Sequence, residues 1–243
     1  MYISNIENSG TAFFDLTKVK QREGYVDVVL LTKSFKNGGY CVAGIDLHTH
    51  EWVRLTASEE DFPGGEGALG ENNLFLADGT FADVLDVVRF RSAGTHPELY
   101  QVENTLVDFS ERMMRLGTMR FEEVLEIHPA EGRKKLFYTD SNTLPDYYGG
   151  RLDYSLILAH VKNAHIYSYY DKGKTRWKAD FTYVSRYKSH STVEYKEVYV
   201  TTPINSLRDK LHYDDAYFVL SVGMPFNGTI YKFVAAIFER EYL

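Results

Sequence analysis

The sequence predicts a mainly β protein built as two small barrels joined by a helical segment. Three observations carry that expectation. β-branched and aromatic residues, among them 19 Tyr and 15 Phe in 243 residues, dominate the apolar runs, and these side chains suit a pleated, half-buried surface. Short strand-like segments recur with turn residues between them, the pattern of a barrel or sandwich. Only residues 110–127 keep the spacing of a helix over three or more turns.

Taken in order, Val26 to Thr56 (VDVVLLTKSFKNGGYCVAGIDLHTHEWVRLT) reads as three strands joined by tight turns. Val26, Val28, Val29, Leu30 and Leu31 make the first, and Asn37-Gly38-Gly39 supplies the positive φ that a hairpin needs. Tyr40 to Leu47 returns, and Trp52 to Leu55 runs a third time. An acidic, glycine-rich loop follows from Ser58 to Glu71, then strand-like segments at Asn73–Leu76, Val84–Arg91 and Leu99–Val107. Ser110 is placed to cap a helix carrying Met113, Met114, Leu116, Met119, Val124 and Leu125, weakened at Gly117-Thr118 and ended by His128-Pro129. Asn142 to Gly150, with Pro145 and two glycines, marks the boundary between a domain of residues 1–141, which includes the connecting helix, and one of residues 142–243. Beyond it strands are expected at Tyr154–Val161, His165–Tyr170, Lys174–Lys188, Val193–Thr201, Tyr217–Val222 and Ile230–Phe238, with a short helix at Asn205–Leu211. The halves share an architecture of about five strands each without a detectable sequence repeat.

The opening stretch Val26 to Thr56 resembles the start of the dual OB-containing family, small-barrel proteins of microbial and phage sequences. Ala216 to Glu239 (AYFVLSVGMPFNGTIYKFVAAIFE) is similar to the way that family ends. The resemblance implies two OB-like β-barrels and a broad binding role. It also implies a part in phage–host conflict or nucleic-acid processing, as a subunit of a larger assembly with protein partners. It brings no catalytic residues.

Composition bounds the rest. The polar, acidic start MYISNIENSG does not read as a secretory signal, and the longest apolar runs are too short to span a bilayer. Cys41 is the single cysteine, so there is no internal disulfide, and a reducing cytoplasm is the expected location. Its expected role is that of a small buried residue. The net charge of −7 argues against a protein that simply coats nucleic acid. Residues 1–110 carry eight Lys and Arg against seventeen Asp and Glu, a net of −9, whereas residues 111–243 carry a net of +2. A site for a polyanion is therefore expected in the second half.

The motifs are weak. Gly65 to Gly70 matches G-x-G-x-x-G literally, but it follows Glu59-Glu60-Asp61 and leads toward a predicted strand, so it reads as an exposed surface loop holding no nucleotide. His48-Thr49-His50, with Asp46 and Glu51, reads as a polar hairpin tip rather than a metal site. Glu122, Glu123 and Glu126 read as a solvated acidic helix face. Glu194-Tyr195-Lys196, with Asp180 or Asp146, resembles the D…(D/E)-x-K arrangement in which two carboxylates hold Mg²⁺ and a lysine stabilises the attacking water or phosphate. Glu-x-Lys also suits any exposed strand face. No catalytic residue, metal or cofactor is assigned.

The strongest binding candidate is Lys174 to Lys188, KTRWKADFTYVSRYK. Lys172, Lys174, Arg176, Lys178, Arg186 and Lys188 oppose Asp180 alone, with Trp177, Phe181, Tyr183 and Tyr187 interleaved. OB grooves combine cations that follow the backbone with aromatics on which bases stack. Strand alternation puts Arg176, Lys178, Asp180, Arg186 and Lys188 on one face and Trp177, Ala179, Phe181, Tyr183 and Tyr187 on the other. The aromatics then build a core and the cations a solvated or phosphate-binding face, with Trp177 or Tyr187 exposed where the strand bends. Lys33, Lys36 and Arg54 extend the candidate surface. Three functions stay open: non-catalytic binding of DNA or RNA, a Mg²⁺-dependent nuclease, and an acidic protein-interaction module that binds no nucleic acid.

Overall fold

The computed structural model describes residues 14–36, 38–98, 100–187, 191–204 and 211–239. They divide into two compact units, one within residues 14–98 and 103–129, the other within 100–102 and 130–239.

The first unit holds β1 (Tyr25–Lys36), β2 (Gly39–Asp46), β3 (Trp52–Thr56), β4 (Asp86–Thr95), β5 (Asn104–Val107), β6 (Met114–Thr118) and α1 (Phe121–Ile127). Its strands run in the order β1-β2-β3-β5-β4, and β4 pairs back onto β1, closing a five-stranded barrel. All of these pairs are antiparallel except β3–β5. Val28, Leu30, Val42, Leu55, Val88, Phe90 and Val107 point inward and are buried together. Gly38, at φ +79°, makes the β1–β2 turn. Gly44 lies where β1 and β2 pass so closely that a Cβ would come within 1.9 Å of the Val29 carbonyl oxygen, so a side chain there is excluded.

The second unit holds β7 (Thr143–Pro145), β8 (Leu156–Asp171), β9 (Lys174–Val184), β10 (Thr192–Val200), β11 (His212–Val222) and β12 (Thr229–Glu239). The order β8-β9-β10-β12-β11, with β11 returning to β8, repeats the topology of the first barrel, including one parallel pair, β10–β12. β7 adds to β12. Phe181, Tyr183, Tyr195, Val198, Phe218, Ile230 and Val234 fill the interior. Three inward side chains have polar tips, which burial obliges to find partners. They find them on the irregular segment 131–139. Tyr183 Oη donates toward the carbonyls of Glu131 and Arg133, at 3.0 and 2.8 Å. Tyr195 Oη accepts from Leu136 N and donates to Thr139 O. Lys232 Nζ reaches Leu136 O at 2.8 Å and both oxygens of Thr139. Leu136 and Phe137 of that segment are fully buried in the barrel core.

The helical connection is corrected. Of residues 110–127 only Phe121–Ile127 is α-helical, and Met114–Thr118 instead forms β6 on β4. Gly117 and Thr118 are poor helix formers, while β4 offers a partner and Arg115 pairs with Asp86 at 2.7 Å. Ser110 caps no helix; its N–H donates to Asp108. Glu123 is buried, not solvated, and accepts from the N–H groups of Arg120 and Phe14 at the start of α1. Asn73–Leu76 is not a strand, since Glu71–Leu74 is a 3-10 turn. The strands expected at Tyr154–Val161 and His165–Tyr170 are one strand, β8, carrying a bulge at Asn163, φ +50°. Residues 205–210 of the expected Asn205–Leu211 helix lie outside the described residues. Among the described residues no helix is long and apolar enough to cross a membrane.

Candidate nucleic-acid interface

Alternation along β9 separates two faces. Ala179, Phe181 and Tyr183 are buried in the barrel, and Trp177 packs partly buried against the same core. Lys174 and Arg176 are exposed on the outside, and Lys178 and Asp180 are half-buried there. Lys178 pairs in register with Tyr167 of β8 and Tyr199 of β10, and Tyr199 with Phe233 of β12. The result is an aromatic row across the outer surface. Tyr199 lies 6.4 Å from Tyr169, 5.7 Å from Tyr231 and 6.2 Å from Phe233 between ring centroids. The Lys178 ammonium sits 5.0 Å from the Tyr169 ring and 5.5 Å from that of Tyr199, within the range of a cation–π contact. Burial, reinforced by the neighbouring Tyr199, raises the Tyr169 hydroxyl above its ordinary pKa, so it stays a neutral donor. Lys178 also pairs with Glu197 at 3.4 Å, and Arg176 with Asp171 at 3.2 Å.

Two residues along, the same face becomes acidic. Asp140, Tyr167, Asp180, Glu194, Lys196 and Glu197 line an open cleft of about 670 Å³. Glu194 and Lys196 flank inward-facing Tyr195, and the β10 bulge, with Glu197 at φ +56°, turns Lys196 and Glu197 to the outside together. Asp180 Oδ1 accepts the Glu197 N–H at 2.7 Å and the Tyr167 hydroxyl at 3.2 Å. Burial, and then the Asp180 charge, push the Tyr167 hydroxyl up to about 12. The sequence motif is thus gathered in one cleft through Asp180. Asp146 is engaged elsewhere, by the Tyr100 hydroxyl at 2.7 Å. Among the described residues no three His, Cys, Asp or Glu are grouped to hold a metal.

The other candidates scatter. Lys33 is 6 % exposed and turned into the first barrel, where it donates to Ala82 O at 2.9 Å and pairs with Asp83 at 3.2 Å. Arg54 is 3 % exposed and donates to Cys41 Sγ. Lys33 thus spends its charge on Asp83, and neither cation is at the surface. Lys36 is at the surface, on the carbonyl of Glu66. Arg186 is exposed and Tyr187 is 45 % exposed, past the end of β9, whereas Lys188 lies outside the described residues. His48 bonds Asp27, and Asp46 accepts the N–H groups of His48 and Thr49, so the His48-Thr49-His50 tip is a hydrogen-bonded hairpin. The glycine loop is less exposed than expected: Ala68 and Leu69 are buried and Leu69 bridges Tyr40.

Two five-stranded barrels of the same order, each with one parallel pair, are OB barrels in topology. The family described as dual OB-containing domain matches the chain over residues 26–237. The chain belongs to that family. No curated protein matches it. In this dual OB protein the face that OB barrels use for oligomeric ligands, on their second and third strands, corresponds to β9 and β10 in the second barrel. Sequence reasoning missed Tyr167, Tyr169, Tyr199, Tyr231 and Phe233. Tyr167-Ser168-Tyr169 and Tyr231-Lys232-Phe233 each carry aromatics at alternate positions, and extending the two-residue alternation from β9 to its neighbours would have found them.

Proposed function

We propose that this dual OB protein binds single-stranded nucleic acid, without cleaving it, on the outer face of its second barrel. The observation that carries the reading is the half-exposed row Tyr169, Tyr199 and Tyr231 with the Lys178 ammonium set against it and Lys174 and Arg176 beyond. Unstacked bases gain about 1–3 kcal/mol each on such rings, and the cations follow the phosphates. Duplex DNA presents no open base faces to this row, so single strands are the favoured ligand. Family membership supports a place in nucleic-acid processing or phage–host conflict in the cytoplasm, alongside protein partners.

A Mg²⁺-dependent nuclease is the second reading, favoured by the meeting of Asp180, Glu194 and Lys196 in one cleft. Fluorescence polarization on single-stranded and duplex DNA and RNA, with and without Mg²⁺, separates the readings. Saturable binding to single strands with intact oligonucleotide supports the proposal. Mg²⁺-dependent cleavage that Glu194→Gln abolishes supports the nuclease. No interaction with any nucleic acid leaves the protein-interaction module.

A further inference from the structure

The first barrel has an exposed aromatic row that single-strand binding on the second barrel does not use. Phe35 and Tyr40 are cross-strand partners beside the β1–β2 turn, and Phe75 faces Phe81 across an isolated antiparallel bridge. Phe35 is 58 % exposed and Phe75 37 %, whereas Tyr40 and Phe81 are half-buried and rest on the barrel core. From Phe35 to Tyr40, Phe81 and Phe75, successive ring centroids are 5.4, 6.4 and 5.2 Å apart. Core packing beneath Tyr40 and Phe81, with the Lys33 ammonium 4.8 Å from the Phe81 ring, fixes the row and leaves Phe35 and Phe75 open.

Charge decides what such a row takes up. Residues 58–83, which include Phe62, Phe75 and Phe81, hold seven Asp and Glu and no Lys or Arg. The segment folds onto the β1–β2 turn: Leu69 bridges Tyr40, and a Cβ on Gly39 would come within 2.8 Å of the Phe62 ring. Glu71 and Asp78 are exposed, one ahead of Phe75 and the other between Phe75 and Phe81. The hydroxyl and N–H of Thr80 donate to Asp78 at 2.6 and 2.9 Å, which holds its carboxyl below the ordinary range and keeps it charged. The cations close by are engaged, Lys33 with Asp83, Arg115 with Asp86 and Lys36 with the Glu66 carbonyl. Phosphates and anionic lipid surfaces are repelled by such a surround, and a basic ligand is drawn to it.

We propose that this row docks an extended, arginine- and proline-containing segment of a partner protein. Guanidinium groups stack on aromatic faces and pair with carboxylates in the same site, and proline-rich segments seat in aromatic-lined grooves. Such a segment advances about 6 Å every two residues, close to the spacing of the rings. The surface is independent of nucleic-acid binding, because the residues are on the other barrel and the ligand has the opposite charge.

A fluorescein-labelled peptide, RPPRPPRPPR, titrated with the full chain and read by polarization, tests it, with KPPKPPKPPK and EPPEPPEPPE in parallel. Saturable one-to-one binding of the arginine peptide is expected, tighter than that of the lysine peptide, with no binding of the acidic one. Phe35→Ala with Phe75→Ala should weaken it about tenfold at unchanged melting temperature. Removing rings leaves the net charge untouched, so that loss separates docking from the general attraction of a basic peptide to an acidic protein. Glu71→Gln with Asp78→Asn should weaken binding by a similar factor. Phe35→Ala alone, at the more exposed ring, decides the matter should Phe75→Ala disturb the fold. Equal affinity for the lysine peptide, affinity unmoved by the ring variants, or no saturation would overturn the proposal. Loss of single-strand binding in the ring variant would make the row a base-stacking surface instead. A concentration-dependent dimer in sedimentation that Phe35→Ala disperses would give it to a second copy of the chain. Either result overturns a peptide partner.

Discussion

Lys232 is a side chain whose chemistry departs from its neighbours'. It is 1 % exposed, has three oxygens around its Nζ and lies 4.8 Å from the Tyr195 ring. Burial lowers its pKa from 10.5 to about 7, against the pull of Asp140. The folded chain therefore gives up this proton near neutrality while the unfolded chain keeps it to about pH 10.5. Between those limits the unfolded state binds more protons, so rising pH favours the fold. Denaturant unfolding of the native chain and Lys232→Met should show the difference in stability growing with pH between about 7.5 and 9.5, with a slope up to about 1.4 kcal/mol per pH unit; below about pH 7 it should be flat. A second contrast lies on the aromatic row. Tyr199→Ala should cost about 1–3 kcal/mol of single-strand affinity with little loss of stability, whereas Trp177→Ala, on the core side of β9, should lower stability by about 1–3 kcal/mol and leave affinity nearly unchanged. Reversed results in a binding and melting series would move the interface to the other face.

At the level of the element, β9 carries both a wall of the core and the proposed ligand surface. Arg176→Glu with Lys178→Glu tests the surface. Both cations have acidic partners, so binding must compete with Asp171 and Glu197. The double change should weaken binding to all sequences alike and flatten the logarithmic salt dependence by roughly one unit for each phosphate no longer held. An unchanged salt slope in a titration series would reduce β9 to barrel wall. The faces of β9 were legible in its sequence because a period of two leaves no choice once Phe181 and Tyr183 are inside. The cleft was legible only in part: Glu194 and Lys196 were visible, but a bulge decides that Glu197 joins them, and no residue type in Tyr195-Lys196-Glu197 announces it. Lys33 and Arg54 misled for a related reason. Both sit among apolar residues on strands, and only the fold supplies the Ala82 carbonyl, Asp83 and Cys41 that let a cation stay inside. The helix of residues 110–127 misled because its apolar spacing is real, yet its first half finds a partner in β4, far earlier in the chain.

For the molecule as a whole, the two barrels share one topology but not one charge: residues 1–129 carry a net of −10, residues 130–243 a net of +3. A polyanion should accordingly be held by the second barrel alone. Photo-crosslinking to single-stranded DNA, read by mass spectrometry, should place adducts within residues 156–239 and not on β1 to β5. Adducts shared between the barrels would contradict that division. The topology itself bears on how the chain reaches this state. The parallel pairs join Leu55 to Thr105 and Tyr199 to Phe233, and β1 meets β4 across a long intervening stretch, Val29 opposite Val87. Such distant pairings form late and slowly, because loop-closure entropy is lost before the contacts repay it. While they are unmade, strands that end in a closed barrel hold bare N–H and C=O rows open to other chains. Refolding yield should therefore fall steeply as protein concentration rises, although the finished barrels offer one another little to pair with.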